Sequence, residues 1–120
     1  MNGNKARKLE SWNTISEKEK LNILLNRSEE YPQLIYKHST RCSVSYVAKQ
    51  ELDQHKETLS DHADLHLINV IEQRDLSNLI AERLNVRHES PQVLVLKNRQ
   101  VIWSGSHWSV KGKEILSKIG

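Results

Sequence analysis

The chain has one cysteine, Cys42, in 120 residues. A single thiol cannot close an internal disulfide, and it excludes a structural zinc site built from several thiolates. No apolar run approaches the roughly 20 residues needed to cross a bilayer, so no membrane partner is expected. The opening stretch MNGNKARKLESWN lacks the apolar core of a secretory signal, and cytoplasmic residence is the expectation. Cluster charge is lacking too. The 18 basic and 15 acidic residues leave a net charge of only +3. The basic residues are scattered, with no run that would track phosphates and no aromatics interleaved, so nucleic acid is not an expected partner. Internal repeats, low-complexity tracts and long linkers are missing as well. With 28% charged residues and plentiful aliphatics, the chain reads as globular rather than disordered. It is expected to form a single domain over 1–120, with 1–12 as a flexible lead, and to be a monomer.

Periodicity supplies the elements. Ser16 and Glu19 fit a capping box, and Leu21, Leu24 and Leu25 then share a helical face. The helix is expected to stop near Arg27 or Ser28, because Tyr31-Pro32 disfavours helical geometry before the proline. QLIYKHS reads as a short buried strand. From the cysteine onward Val44, Val47, Ala48 and Leu52 predict a helix reaching His55 or Glu57. DLHLINVIE predicts a strand. Asp75 is a natural N-cap for a helix carrying Leu76, Leu79, Ile80 and Leu84, which Asn85 can end. QVLVLK and QVIWSG, joined by Asn98-Arg99, predict an antiparallel hairpin. A closing helix follows, with Ser109 as its cap and Ile115, Leu116 and Ile119 on its buried face. The order α-β-α-β-α-β-β-α, with a parallel βαβ unit and a terminal hairpin, is that of the thioredoxin-like fold: an α/β domain with a mixed four-stranded sheet flanked by helices.

In that order Cys42 stands between a strand end and a helix start. Unpaired amides and the helix dipole at that point favour thiolate over thiol. Arg41, Lys37 and a protonated His38 would add cationic field. Three residues downstream, where a two-thiol redox motif carries its second cysteine, stands Ser45. A serine cannot resolve a mixed disulfide, so any covalent intermediate on Cys42 has to be resolved by an external thiol. A second motif, Ser90-Pro91, precedes the QVLVLK strand. In thioredoxin-fold proteins the matching proline is cis and faces the cysteine, and the preceding backbone pairs with substrate like an added strand. A third motif, WSGSHWS, holds Ser106 and His107 where the hairpin meets the last helix. The amides near Ser109 form a candidate anion seat there.

Together YKHSTRCSVS, HESPQ and VIWSGSHWSV resemble the YtxJ-like monothiol bacilliredoxins, over most of the chain from about Trp12. Around the thiol the family pattern is similar to HS-x-x-CPIS. Here Ser43 replaces the proline and Val44 the isoleucine. The resemblance implies a redox role in the cytoplasm of a Gram-positive bacterium of the Bacillus type. It implies no bound cofactor, and bacillithiol, a cysteinyl-glucosaminyl-malate, as co-substrate. The implied partners are bacillithiolated client proteins and a second bacilliredoxin. Cys42 would be the nucleophile, with Arg41 as thiolate stabiliser, Ser45 as a donor beside it and His38 as a tuning group. Lys37, Thr40, Ser43, Ser90, Pro91, Ser106 and His107 would bind client or bacillithiol. Competing readings are an iron–sulfur glutaredoxin, whose Gly-Phe pair CSVS lacks, and an adaptor whose thiol is only modified. His62 and His66, four apart, suggest a metal pair, but no third ligand is evident.

Overall fold

The structure, a computed structural model, describes residues 12–119. The expected flexible lead over 1–12 therefore lies outside the described residues except for Trp12. That residue packs against the core and donates its indole N–H to Asp53 Oδ1 at 2.9 Å. The elements are β1 (Asn13–Thr14), α1 (Lys18–Arg27), β2 (Gln33–His38), α2 (Ser43–Gln54), α3 (Lys56–Ser60), β3 (Asp64–Asn69), α4 (Arg74–Leu84), β4 (Gln92–Lys97), β5 (Gln100–Ser106) and α5 (Gly112–Ile119). A 3-10 turn at His107–Ser109 joins β5 to α5.

Five strands form one sheet in the order β1-β3-β2-β4-β5. The count exceeds the expected four because β1, two exposed residues long, adds itself parallel to β3. A pair of exposed polar residues carries no hydrophobic pattern by which to find it. β2 and β3 are parallel, β2 and β4 antiparallel, and β4 and β5 form the antiparallel hairpin. Its turn places both Asn98 and Arg99 at positive φ, the geometry that suits the twist of a two-residue hairpin.

Side chains on the sheet alternate between two cores. Leu34, Tyr36, Leu65, Leu67, Val93 and Val95 face α2, α3 and α5 through Ala48, Leu52, Leu59 and Ile115. Ile35, Ile68, Leu94 and Leu96 face α1 and α4 through Leu21, Leu24, Leu25, Leu76 and Ile80. Each fully buried aliphatic contributes about 1.5–3 kcal/mol, so neither face can be left open. As a result β2 is buried along its whole length, polar residues included.

Several local expectations shift. Glu17 rather than Ser16 precedes α1, without a side-chain cap. Gln73 precedes α4, and Asp75 lies in its first turn, where a carboxylate still suits the dipole. Asn85 ends α4 in the left-handed conformation. Ser109 falls in the 3-10 turn instead of capping α5. Val47 is 45% exposed, because the buried stripe of α2 runs through Ser45, Ala48 and Leu52. At the N-terminal ends of β2 and β3, Gln33 donates to Asp64 at 2.8 Å, His66 Nε2 donates to Gln33 Oε1 at 2.7 Å, and Arg27 pairs with Asp64. Among the described residues no group of three or more His, Cys, Asp and Glu could hold a metal.

Candidate functional site: a thiol at a helix N-terminus

The last residue of β2 is His38, and α2 begins at Ser43. The four residues between them form a tight turn in which Cys42 N–H donates to Ser39 O at 3.3 Å. Cys42 itself is the N-cap, extended at φ −121° and ψ 121°, and partly exposed. Its thiol is held below its ordinary pKa. The Ser45 N–H is the main cause, and the Val44 N–H and Ser45 hydroxyl act the same way against a smaller opposing effect of burial. These donors belong to the first turn of the helix, where the Ser45 N–H also reaches Cys42 O at 3.1 Å. A sulfur anion satisfies them better than a neutral thiol does.

The cationic field read from the sequence is not what does this. Lys37 is fully buried on the other face of the sheet. Its Nζ donates to Ser77 O at 3.1 Å and approaches His88 Nδ1 at 3.2 Å. Burial lowers its pKa to about 8. The expectation that Lys37 binds substrate is therefore corrected: β2 alternates, and the residue after Tyr36 must point to the α4 side. His38 is buried too. Burial, followed by the charge of Lys49, pushes its pKa down, which disfavours the protonated ring that would add cationic field. Arg41 is exposed, and neither it nor Lys37 is among the causes of the Cys42 shift.

Thr40 and Ser43 are exposed on either side of the cysteine. The Thr40 carbonyl accepts from the Tyr46 hydroxyl at 3.3 Å. Ser90-Pro91 is a cis peptide. Gln92 pairs with Lys37 across β2 and β4, so one further step of the register puts Pro91 beside His38, at the same end of the sheet as Cys42. The third motif joins here. His107 N–H donates to Pro91 O at 2.9 Å. The Ser106 hydroxyl donates to the Glu89 carboxylate, and His107 Nδ1 lies 3.3 Å from that carboxylate. Ser106 and His107 thus brace the Glu89–Pro91 segment. The anion seat expected near Ser109 is not free at the helix itself, because the Gly112 N–H at the start of α5 is taken by Glu51 Oε2 at 2.9 Å. Val47, His107 and Trp108 line a shallow groove of about 150 Å³ along α2. Val47 and Trp108 are exposed apolar side chains on this groove. A larger cavity of about 410 Å³, lined by Trp12, Ile23, Arg27, Gln33 and His66, includes Gln33 at the start of β2 and so opens toward the other end of that strand.

Tyr36 is the site residue that sequence reading missed. It is fully buried and reaches Ser45 O at 2.8 Å and His38 Nδ1 at 2.8 Å. The available signal was chemical: a buried phenol needs a hydrogen-bond partner.

The monothiol bacilliredoxin BrxC family matches residues 13–115. The chain belongs to that family. This bacilliredoxin also resembles solved structures over nearly all its length. One is described as a candidate oxidoreductase with a thioredoxin fold: 25% identical, TM-score 0.77, covering 88% of this chain and 91% of the other. Thioredoxin from Malassezia sympodialis is 18% identical, with TM-score 0.70 and coverage of 91% and 88%. Thioredoxin f from spinach chloroplast is 12% identical, with TM-score 0.71 and coverage of 98% and 90%. The fold is that of thioredoxin, and the bacilliredoxin family membership gives the chain a redox thiol function. No helix among the described residues is long and apolar enough to cross a membrane.

Proposed function

We propose that this bacilliredoxin removes bacillithiol from protein mixed disulfides through a covalent intermediate on Cys42. The observation that carries the reading is the partly exposed Cys42 thiol, biased toward thiolate by the helix amides, with Ser45 three residues on in place of a second thiol.

In the first step the Cys42 thiolate attacks the bacillithiol sulfur of the mixed disulfide. A Cys42–bacillithiol disulfide forms, the old disulfide breaks, and the client leaves as a thiolate. In the second step a free bacillithiol thiolate attacks the bacillithiol sulfur held on Cys42. Bacillithiol disulfide departs, and the Cys42 thiolate is restored. Overall the client cysteine is reduced to a thiol and the incoming bacillithiol is oxidised, while the transferred bacillithiol stays at the disulfide level throughout. A second bacilliredoxin accepting the bacillithiol is an alternative exit. The exposed Arg41, Thr40 and Ser43 are the proposed contacts for the bacillithiol carboxylates and sugar. Ser90 and Pro91 would align the client backbone. A reducing cytoplasm is the setting in which a lone reactive thiol is kept available.

The test is turnover. A client with one surface cysteine carrying bacillithiol is incubated with excess bacillithiol and catalytic amounts of wild type or Cys42→Ser. Multiple clients released per wild-type molecule and none by the variant is the expected result. Equal, background release in both would leave an adaptor whose thiol is only modified.

A further inference from the structure

Tyr36 has one phenolic proton and two acceptors at hydrogen-bond distance, the Ser45 carbonyl and His38 Nδ1, each at 2.8 Å. A carbonyl only accepts. If the phenol donates to Ser45, its oxygen is left to accept, and His38 Nδ1 must carry a proton to donate. If the phenol donates to His38 instead, the 2.8 Å bond from the phenol to the Ser45 carbonyl is lost. Both bonds form together only with the proton of His38 on Nδ1. Since Tyr36, His38 and Ser45 are all buried, the arrangement that satisfies both bonds is favoured.

Ser45 is also held from its other side. Its Oγ accepts the Ser39 N–H at 3.3 Å. Its N–H, in turn, is the main group favouring the Cys42 anion. We propose that Tyr36 is a positioning residue for the Cys42 thiolate: it clamps Ser45 through the carbonyl, and Nδ1-protonated His38 fixes the direction of the phenol. The charge of Cys42 reaches Tyr36 and adds to the rise in the phenol's pKa that burial mainly causes. The phenol therefore keeps its proton to donate while the thiol ionises.

The inference rests on Cys42 acting as a thiolate, the premise of the proposed function, but its test needs no bacillithiol. Tyr36→Phe keeps the ring against Trp12, 5.8 Å away between centroids, and removes only the hydroxyl. Iodoacetamide alkylation of Cys42 at pH 7 is expected to slow about threefold, with the whole pH profile displaced upward. Ile80→Val, a core truncation in the other cluster, is expected to leave the profile in place. An unchanged profile in Tyr36→Phe overturns the proposal. Should that variant fail to fold, long-range ¹H–¹⁵N spectra of the wild type decide: a proton on His38 Nδ1 supports the relay, and a bare Nδ1 with the proton on Nε2 overturns it. Failed turnover with a displaced profile would count against the bacillithiol reading alone. Normal turnover with a flat Tyr36→Phe response would count against this one alone.

Discussion

Lys37→Met tests the electrostatics of the sheet in a way that yields a number. Lys37 is fully buried, and its pKa falls from 10.5 to about 8 because burial disfavours the cation. Its partners are a carbonyl and an imidazole, neither of them an anion. Each tenfold change in proton affinity is worth about 1.4 kcal/mol, so holding the charge at pH 7 costs the folded state about 3 kcal/mol. Between about pH 8 and 10.5 the unfolded chain binds the proton that the folded chain has released, so stability rises with pH across that window. Integrated from pH 7 to 9.5, the wild type should gain about 2 kcal/mol relative to Lys37→Met. Methionine fills similar space without a charge. It gives up the bond to Ser77 O, worth about 1 kcal/mol, while the Ser77 hydroxyl keeps His88 Nδ1 at 3.1 Å. At pH 7 the variant should therefore be more stable by about 2 kcal/mol. The assay is urea unfolding of both proteins at half-unit steps from pH 7 to 9.5, compared as a difference so that groups common to both cancel. A constant difference across that range, or a variant less stable at pH 7, would refute the reasoning.

Alkylation of wild-type Cys42 should show a midpoint below that of free cysteine, because the pKa is depressed. Ser45→Ala should slow alkylation at pH 7 by no more than about threefold, since the backbone amides remain. Arg41→Ala should leave the pH profile in place, and a displacement as large as that of Ser45→Ala would show the guanidinium at work. Gly112→Ala should destabilise by about 1–3 kcal/mol in urea unfolding. Its methyl would stand 2.3 Å from the His55 ring and 2.7 Å from His55 Cβ, and the backbone end of that side chain cannot swing aside.

The parts of the fold legible in the sequence are those with a local cause. Tyr31-Pro32 stopped one helix, Asn85 took the left-handed position that ends another, and the dense run Gln92–Lys97 had only one plausible form. Position also revealed the cysteine, because a thiol between a strand end and a helix start meets unpaired amides whatever its neighbours are. Tertiary burial was not legible. Lys37 looked like a cation near the thiol because sequence proximity was taken for spatial proximity. A strand covered on both faces sends every second residue to the far side. Val47 matched an apolar stripe that the packing of α2 displaced by one position toward Ser45. Tyr36 read as a simple core residue, and only its two hydrogen bonds place it beneath the site. The β1 strand left no trace, since two exposed residues carry no period.

The most direct test of the account is intact mass spectrometry of the protein after exposure to bacillithiol disulfide. The account predicts one bacillithiol per chain, located on Cys42 and removed by added bacillithiol to return the free thiol. A protein that takes up no bacillithiol at Cys42, or holds it against excess bacillithiol, would contradict it.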